Sequence, residues 1–376
     1  MLGGAGSIAL RLANALSPRT RGCHVWVPED GPAREMAKEL GLPSHKYDAR
    51  RIASSSKLQS AIANLNIAYR LRGYGRGIIH VHSPRCYGAL RLGLRYSGLK
   101  RAVHVQIEES RTGLRWAFKR PPDMIITCAR YLVDYVRGSL PEEYQERQRI
   151  VAVPNSIDTK EFFPDDKCRA KHRVGAPDDV PLILMLANLA PHKGQVTAIR
   201  MTAELQRRGV AVVCWLAGVE REEAGTYTSQ LHSLINELGL SDRIRLLGQR
   251  HDASELLRAA DFFLLPSSHE GLPLSILEAQ ASKVPALTAP TAGIPEAVSD
   301  GETGILIPSE DYVGYADAIQ TLLSNKDLYH RVVENAYEQV RREYDWSNYC
   351  ERIWKLYCEL LGGWEKDNGQ PMIISP

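Results

Sequence analysis

The sequence predicts an α/β protein with two doubly wound domains, each built on a parallel sheet. Short apolar runs typical of buried strands alternate with stretches in which apolar residues recur at helical spacing. The polar, proline-containing segment 164–181 separates two such series and is typical of a linker. A chain of 376 residues is long enough for two domains that each bury a core. We therefore expect a first domain over 1–164 and a second over 165–345.

Composition and cysteine usage narrow the class of protein. The hydrophobic share of 44% and the charged share of 24% are those of a globular protein. No apolar run approaches the roughly 18 residues that a membrane helix needs, and the apolar stretch 8–16 is interrupted by Arg11 and Asn14, which is not typical of a secretory signal. Seven cysteines are scattered without metal-ligand spacing. We therefore expect a cytoplasmic protein with reduced thiols.

Charge is distributed unevenly along the chain. Residues 1–150 carry 25 Lys+Arg against 12 Asp+Glu, whereas residues 151–376 carry 22 against 32. A basic half predicts an acidic partner such as an anionic membrane surface, a phosphorylated acceptor or nucleic acid, unless the two halves simply complement each other. No aromatic-interleaved basic run or zinc pattern favours nucleic acid, so we expect none as a partner. The arginines that favour a lipid-linked acceptor or a peripheral membrane position are Arg72, Arg76, Arg85, Arg91 and Arg95.

The chain opens with a glycine-rich stretch, Gly3-Gly4-Ala5-Gly6, followed by a helical pattern and a strand over 24–28. Such a loop lets a phosphate or a sugar approach backbone amides closely, which makes Gly4 a candidate binding residue. The spacing is not that of a dinucleotide fingerprint. The strand that should precede Gly3 is missing, and in a doubly wound sheet it would be central. Its loss would leave a central gap of unpaired backbone. Either the natural start lies upstream of Met1, which the otherwise intact pattern favours, or this copy is compromised.

Further along the first domain, Leu58, Ile62, Leu65 and Tyr69 recur at helical spacing and predict a helix that covers a sheet face. The strand over 77–84 places His80 and His82 on one side, because side chains alternate along a strand. Two histidines without a third ligand nearby are more often packed or hydrogen-bonded than metal-binding.

The next strand, 101–107, carries His104 and Gln106, and its end faces the same crevice if the sheet is parallel. A structural role for His104 is somewhat favoured over a catalytic one.

The second domain places its polar residues after strands. The strand 182–188 ends at Asn188 and leads into Lys193-Gly194, where a lysine at a strand-to-helix turn favours a phosphate role. The strand 261–267 leads into Glu270, and a helix predicted to begin near Pro273 places Glu278 in its second turn. Amides at the start of that helix form a ready site for anionic oxygens.

These motifs together resemble retaining glycosyltransferases of family 4, which have the two-domain GT-B fold, over about residues 3–361. The resemblance implies that Glu270 contacts the donor sugar, that Glu278 holds the ribose hydroxyls and that Lys193 neutralises the donor diphosphate. Asn188 stands where the family usually has an arginine, which should weaken that neutralisation. The strand tip carrying His104 or Gln106 corresponds to the family's histidine near the donor sugar and acceptor. The candidate catalytic residues are Glu270, Lys193 and His104; the candidate donor-binding residues are Gly4, Asn188, Lys193, Gly194, Gly218, Leu247, Gly271, Leu272, Leu274 and Glu278; His82 and Gln106 are candidates on the acceptor or sugar side.

The implied activity is transfer of a hexosyl group from a nucleoside diphosphate sugar to a glycan, lipid-linked or small-molecule hydroxyl, with retention. No Asp-x-Asp motif has a convincing strand-end setting, so we expect no metal requirement and no cofactor. We expect acceptor specificity in the loops 46–58 and 107–120, a helix over 346–361 that returns to the first domain, and a flexible tail over 362–376. Alternatives are a non-catalytic or impaired nucleotide-sugar-binding protein and a sugar-nucleotide epimerase of the same fold; a phosphorylase or a dehydrogenase is less favoured.

Overall fold

The computed structural model describes residues 4–20, 22–52, 56–220, 225–362 and 372–375. The chain forms two compact units, which we call unit 1 (Met1–Asn155 with Ser347–Pro376) and unit 2 (Ser156–Trp346). The chain therefore passes from unit 1 to unit 2 after Asn155, nine residues before the boundary that the linker composition predicts.

Unit 1 begins as an alternation of helices and parallel strands. The strands are β1 (Cys23–Val27), β2 (Ser44–Lys46), β3 (Ile78–Val81), β4 (Lys100–Val105), β5 (Met124–Thr127) and β6 (Ile150–Ala152). The helices are α1 (Gly4–Leu16), α2 (Pro32–Glu39), α3 (Ala49–Ile52), α4 (Lys57–Arg72), α5 (Pro84–Tyr96), α6 (Arg111–Ala117), α7 (Tyr131–Arg137) and α8 (Glu142–Gln145), with a short 3-10 helix at Ser17–Arg19. All four residues of β3 and of β5 are buried, as expected of strands that have helices on both faces.

Unit 2 is a second parallel sheet, in the order β12-β11-β10-β7-β8-β9. Its strands are β7 (Leu182–Leu186), β8 (Val213–Ala217), β9 (Ile244–Gly248), β10 (Phe262–Leu265), β11 (Ala286–Thr288) and β12 (Ile305–Leu306). Its helices are α9 (Lys167–Val174), α10 (Gln195–Arg207), α11 (Thr226–Glu237), α12 (Ala253–Ala259), α13 (Leu274–Ala281), α14 (Ile294–Ala297), α15 (Tyr312–Ser324) and α16 (Lys326–Glu343), with a 3-10 helix at Pro191–Lys193. The apolar run of β10 is buried along its whole length, which confirms the predicted buried strand.

The chain then returns to unit 1 through α17 (Trp346–Leu360) and β13 (Met372–Ser375). Within unit 1, α17 is held by an ion pair between Arg19 and Glu351 and by another between Arg149 and Glu359. The helix thus lies on the first sheet, where the sequence predicts that it returns.

β13 lies in the middle of the first sheet, whose order is β2-β1-β13-β3-β4-β5-β6. It pairs in parallel with β1 on one side, Cys23 opposite Met372, and with β3 on the other, His80 opposite Ile374. The place of the strand missing before Gly3 is therefore filled by residues 372–375. The predicted central gap is wrong, because backbone donors and acceptors of neighbouring strands are paired by a strand from the far end of the sequence.

The prediction of a flexible tail over 362–376 is accordingly wrong for residues 372–375. A short run of β-branched residues, Ile373 and Ile374, is typical of a strand, but it lies next to a polar segment, which favoured a tail. The rest of the tail, 363–371, lies outside the described residues.

The predicted buried face of α4 is also wrong. Leu58, Ile62, Leu65 and Tyr69 are exposed by 70%, 55%, 61% and 80%, respectively, and we call them the α4 stripe. The buried face carries Ala63, Asn64, Ile67, Ala68 and Leu71 instead. Both faces are apolar enough to be core, so periodicity alone does not choose between them.

Contacts with α5 decide which face of α4 is buried. The Asn64 side chain donates to the Ala89 carbonyl, 3.3 Å, and accepts from the Gly93 amide, 2.9 Å. A Cβ at Gly93 would lie 2.7 Å from the Asn64 carbonyl oxygen, so only glycine allows the two helices to approach this closely. Among the described residues, no helix is both long and apolar enough to cross a membrane.

Candidate functional site

The topology of unit 2 places a crevice between β7 and β10. From β7 the chain builds outward through β8 to β9, then crosses to the other side and builds outward through β10, β11 and β12. At such a switch point the loops leaving the two central strands diverge, and ligands bind between them at the carboxyl ends of the strands. The loops after β7 and β10 carry Lys193 and Glu270, respectively.

The loop after β7 turns tightly before α10. Lys193 ends a 3-10 helix, and Gly194 then adopts a left-handed φ of 83° at the start of α10. A Cβ at Gly194 would lie 2.4 Å from the carbonyl oxygen of Pro266, in the loop after β10. The Ser268 amide donates to the His192 carbonyl, 2.9 Å. Gly194 therefore lets the two loops pack directly against each other, which fixes Lys193 at the crevice.

The loop after β10 carries Glu270 in a buried position, 6% exposed. The carbonyl of Gly271 accepts from the amide of Gly293, 3.0 Å, which ties this loop to the loop after β11. Leu272 is buried, and α13 begins at Leu274, one residue after the predicted start. The Glu278 side chain lies half-buried in the second turn of that helix.

Lys193 and Glu270 are brought together. The Lys193 Nζ donates to Glu270 Oε1 at 2.6 Å, and the two side chains are 18% and 8% exposed. The ammonium is suited to anionic phosphate oxygens and the carboxylate to accepting hydrogen bonds from sugar hydroxyls. The two charged groups that the sequence singled out from loops 77 residues apart thus occupy one site.

The remaining predicted residues of unit 2 lie at neighbouring strand ends. Gly218 follows β8, and a Cβ there would lie 1.8 Å from the Ala187 carbonyl oxygen, so its role in the structure is close packing beside Asn188. Leu247 lies half-buried near the end of β9.

Sequence reasoning missed two polar residues that shape these loops. Gln195 is fully buried; its Nε2 donates to the Asn188 carbonyl, 2.9 Å, and its Oε1 accepts from the Tyr227 hydroxyl, 3.3 Å. The Glu220 carboxylate accepts hydrogen bonds from the amides of Tyr227 and Thr228. Both hydrogen bonds lower the pKa of the carboxyl, and the one from Thr228 has the larger effect. The sequence did contain a signal for Gln195, because this polar residue directly follows Lys193-Gly194 at the predicted start of a helix.

In unit 1, the structure brings His104 to His80 and His82. All three are buried, and burial lowers the pKa of each imidazole, to about 3 for His104. The expectation that His80 and His82 lack a third histidine nearby is therefore wrong. The strand register explains the difference, because Val81 lies opposite Val103 and the following residues, His82 and His104, are neighbours on the same face.

Gln106 lies just beyond the end of β4 and is partly exposed, whereas His104 lies within the strand and is buried. The tip position is thus occupied by Gln106. Gly4 begins α1, which packs on β13. A catalytic role for His104 and binding roles for Gln106 and Gly4 stay predictions.

Two doubly wound units in one chain are the architecture of the GT-B fold. Solved structures agree. HepE of Anabaena, in complex with UDP, has a TM-score of 0.83 at 19% identity and covers 95% of this chain and 96% of its own. Sucrose-phosphate synthase of Thermosynechococcus elongatus has a TM-score of 0.77 at 19% identity and covers 96% and 94%. The predicted GT-B fold is confirmed.

Comparisons of the sequence with known proteins agree with the fold. Residues 166–339 match Glycosyl transferases group 1. A D-inositol 3-phosphate glycosyltransferase of Acidothermus cellulolyticus is 32% identical over 243 residues, 62% of this chain and 52% of the relative. One of Stackebrandtia nassauensis is 28% identical over 239 residues, again 62% and 52%. The chain thus spans about half the length of the curated relatives it matches. Residues 166–339 are thus similar to glycosyl transferases group 1, which confirms the predicted resemblance to glycosyltransferases.

Proposed function

We propose that this chain transfers a hexosyl group from a nucleoside diphosphate sugar to an acceptor hydroxyl. The observation that carries the proposal is the ion pair of Lys193 and Glu270 at the switch point of unit 2, with Nζ and Oε1 2.6 Å apart. A binding site for a diphosphate sugar needs a cation for the phosphates next to an acceptor for sugar hydroxyls. These two groups supply both from adjacent loops.

In this proposal each residue has one task. Lys193 and the amide of Leu274, the first residue of α13, stabilise the departing diphosphate, because early amides of a helix have no intrahelical acceptor. Glu270 orients the donor sugar and Glu278 holds the ribose hydroxyls. Asn188 donates a hydrogen bond from a neutral amide to the diphosphate, where an arginine would bind the phosphate oxygens more strongly.

We propose that the transfer retains the anomeric configuration and that the donor diphosphate is handled without a metal ion. The bond between the anomeric carbon and the diphosphate oxygen breaks, a bond to the acceptor oxygen forms on the same face, and the acceptor proton passes to the leaving phosphate. This step assigns no protein nucleophile and no general base. Its support is the resemblance to family 4 together with the cationic Lys193 at the expected phosphate position.

Steady-state assays with UDP-, GDP- and ADP-sugars test the proposal. We expect one donor to be turned over, and Glu270→Gln to lower kcat by about 10²–10³-fold, the usual loss for a group that acts on the transition state. Lys193→Met should lower both kcat and donor affinity. The matched control is Lys283→Met, which removes the lysine of a surface pair with Glu334, 2.7 Å, elsewhere in unit 2 and should leave turnover unchanged.

The alternative functions give different results in the same assays. A binding protein without turnover would bind one donor, lose that binding in Lys193→Met and show no acceptor-dependent product. An epimerase would interconvert two nucleotide sugars without any acceptor. Absence of binding to every donor would contradict all three functions.

For the acceptor, we propose a phosphorylated hydroxyl compound held by unit 1. A pocket of about 730 Å³ opens beside the carboxyl ends of β1 and β2; its charged lining residues are Lys46, Arg50, Arg51 and Arg70, with Glu29, Asp30 and Asp48. Part of its wall, 46–51, belongs to the loop in which the sequence predicts acceptor specificity. The relatives named as D-inositol 3-phosphate glycosyltransferases make a polyol phosphate the first compound to test.

We also propose that unit 1 docks peripherally on an anionic membrane. The α4 stripe exposes four large apolar side chains, and α4 carries the basic residues Lys57, Arg70 and Arg72 at its two ends. An exposed apolar helix face bordered by cations fits a bilayer surface with anionic headgroups. A phospholipid headgroup and a soluble polyol phosphate share the phosphate that the basic pocket would recognise.

Two assays separate these sources. Soluble myo-inositol phosphate and vesicles containing an inositol phospholipid are offered as acceptors in parallel, and product in one arm identifies the source. Vesicle sedimentation then tests docking. We expect Leu58→Ser/Leu65→Ser to abolish binding to anionic vesicles, and Leu323→Ser, an exposed leucine of unit 2, to leave it intact. Equal sedimentation of both variants, or none by the unmodified chain, contradicts docking through α4.

A further inference from the structure

Three histidines of unit 1 converge on one face of the first sheet. His80 lies in β3, His82 follows it directly and His104 lies in β4. The ring centroids are 4.2 Å apart for His80 and His82, 5.4 Å for His80 and His104, and 5.2 Å for His82 and His104. One ring nitrogen from each residue lies within 4.8 Å of the other two. The sheet therefore holds three imidazole ligands side by side on rigid strands.

Most ring nitrogens of this cluster lack hydrogen-bond partners in the described part of the protein. The three side chains are 0%, 5% and 0% exposed. Of six ring nitrogens, five form no hydrogen bond with any described residue: Nε2 of His80 and both nitrogens of His82 and of His104. Buried polar atoms are nearly always bonded, and an unpaired one costs about 1–3 kcal/mol. Five such atoms in one place point to a shared ligand.

The sixth nitrogen contacts helix α17. His80 Nδ1 lies 2.5 Å from the hydroxyl oxygen of Tyr357. If Nδ1–H donates to that oxygen, Nε2 carries the lone pair and can serve as a metal ligand. Metal-binding histidines commonly donate their second ring N–H in this way.

We propose that His80, His82 and His104 bind one divalent transition-metal ion, with Zn²⁺ as the first candidate. Neutral imidazole is a preferred ligand of zinc, copper, nickel and cobalt, whereas a site for Mg²⁺ or Ca²⁺ needs oxygen ligands. A zinc ion with N ligands at about 2.0–2.1 Å in tetrahedral geometry requires the three nitrogens to approach one another to about 3.3 Å. The ligand atoms, which lie within 4.8 Å of one another, would have to approach by rotation of the imidazole rings.

The ion ties β3 to β4 and, through Tyr357, to α17. It belongs to unit 1, while the groups proposed to handle the donor diphosphate belong to unit 2. The proposal is thus independent of the proposed transfer reaction and of its need for a metal.

Metal binding by the full chain tests this directly. The purified protein is stripped with a chelator, dialysed against ZnCl₂ alone and then freed of unbound metal; bound zinc is measured by mass spectrometry. We expect one ion per chain in the unmodified protein and none in His82→Gln or His104→Gln. His24→Gln is the matched control, since it removes a histidine from a separate histidine contact of unit 1, His24 Nδ1 to His45 Nε2 at 3.1 Å, and should still bind one ion.

Two further readouts keep the test valid if a histidine variant fails to fold. Tyr357→Phe removes only the positioning hydroxyl and should lower zinc affinity about 10–100-fold, measured by competition with a chromophoric chelator. Co²⁺ should give the visible absorption of a tetrahedral nitrogen site, displaced by Zn²⁺. The proposal is overturned if the unmodified chain holds no zinc after incubation. It is also overturned if Tyr357→Phe and both histidine variants bind zinc as tightly as the unmodified chain does.

Discussion

Units 1 and 2 are both parallel, doubly wound sheets, yet they obtain their central strand differently. In unit 2 the central strand, β7, comes before the other strands in the sequence, and the unit is one continuous segment. In unit 1 the central strand, β13, comes from residues 372–375, after every other strand. The comparison teaches that the sheet requires a strand at this position, because neighbouring backbone groups must be paired, but does not require a particular chain order.

The units also differ in how their polar residues are placed. In unit 2, Lys193 and Glu270 meet on loops outside the sheet, at the edge of a crevice. In unit 1, His80, His82 and His104 lie within the sheet or next to it and are buried. A loop site is open to a large substrate, whereas a buried cluster is suited to an ion or a proton.

The largest expected effect concerns the central strand of unit 1. Ile374→Pro removes a backbone donor from a strand paired on both sides and should disrupt the first sheet, because proline is tolerated only in edge strands and bulges. Limited proteolysis and hydrogen exchange should then show loss of protection in β1 and β3 while β7 and β10 stay protected. Ile374→Val, which keeps the backbone donor, is the control. Unchanged protection of β3 in the proline variant would show that the sheet does not depend on β13.

The second prediction concerns the two apolar faces of α4. Ile67→Ala removes a side chain that is 4% exposed and should lower the free energy of unfolding by about 2–5 kcal/mol. Ile62→Ala, at a position 55% exposed, should change it by less than about 0.5 kcal/mol. Chemical denaturation of both variants measures the difference. A larger loss in Ile62→Ala would restore the face that sequence periodicity favoured.

The third prediction concerns the packed turn of unit 2. Gly194→Ala combines a left-handed φ of 83° with a Cβ only 2.4 Å from the Pro266 carbonyl oxygen. The backbone strain should lower the free energy of unfolding by about 1–2 kcal/mol, and the clash should lower it further. Donor turnover should also fall, because the clash displaces Lys193. Gly209→Ala, at the other end of α10, has a φ of 75° with open space around it and should show the strain alone. Equal unfolding midpoints and turnover in the two variants would mean that the loops do not rely on this contact.

The smallest effect is a pH dependence of unit 1. Burial lowers the pKa of His24, and the neighbouring His45 lowers it further. Burial also lowers the pKa of His45, and the charge of Arg70 lowers it further. Tyr74 packs against the ring of His24, and Trp26 packs against that of His45. Since the unfolded histidines have a pKa of about 6.5, the unfolded state binds more protons below that pH, and stability falls as pH falls. His24→Gln/His45→Gln should reduce the slope of unfolding midpoint against pH between about 6.5 and 5. A slope that is unchanged in the double variant contradicts this assignment.

The sequence by itself determined the two doubly wound domains and the polar residues of unit 2. Lys193 and Glu270 could be found because each follows a recognisable buried strand, and carboxyl ends of parallel strands meet at one edge of a sheet. Strand, turn and helix start are local patterns, so the start of α13 was predicted to within one residue.

Only the tertiary structure decided the features that depend on distant contacts. The contact of Asn64 with Gly93 decides which face of α4 is buried against α5. The register of β3 and β4 brings His104 to the other two histidines. The central strand of unit 1 is β13, which pairs with strands 290 or more residues away in the sequence. In each case two local arrangements satisfied the same pattern. Pairing and packing between segments far apart in the sequence supplied the free-energy difference between them, and no local periodicity records it.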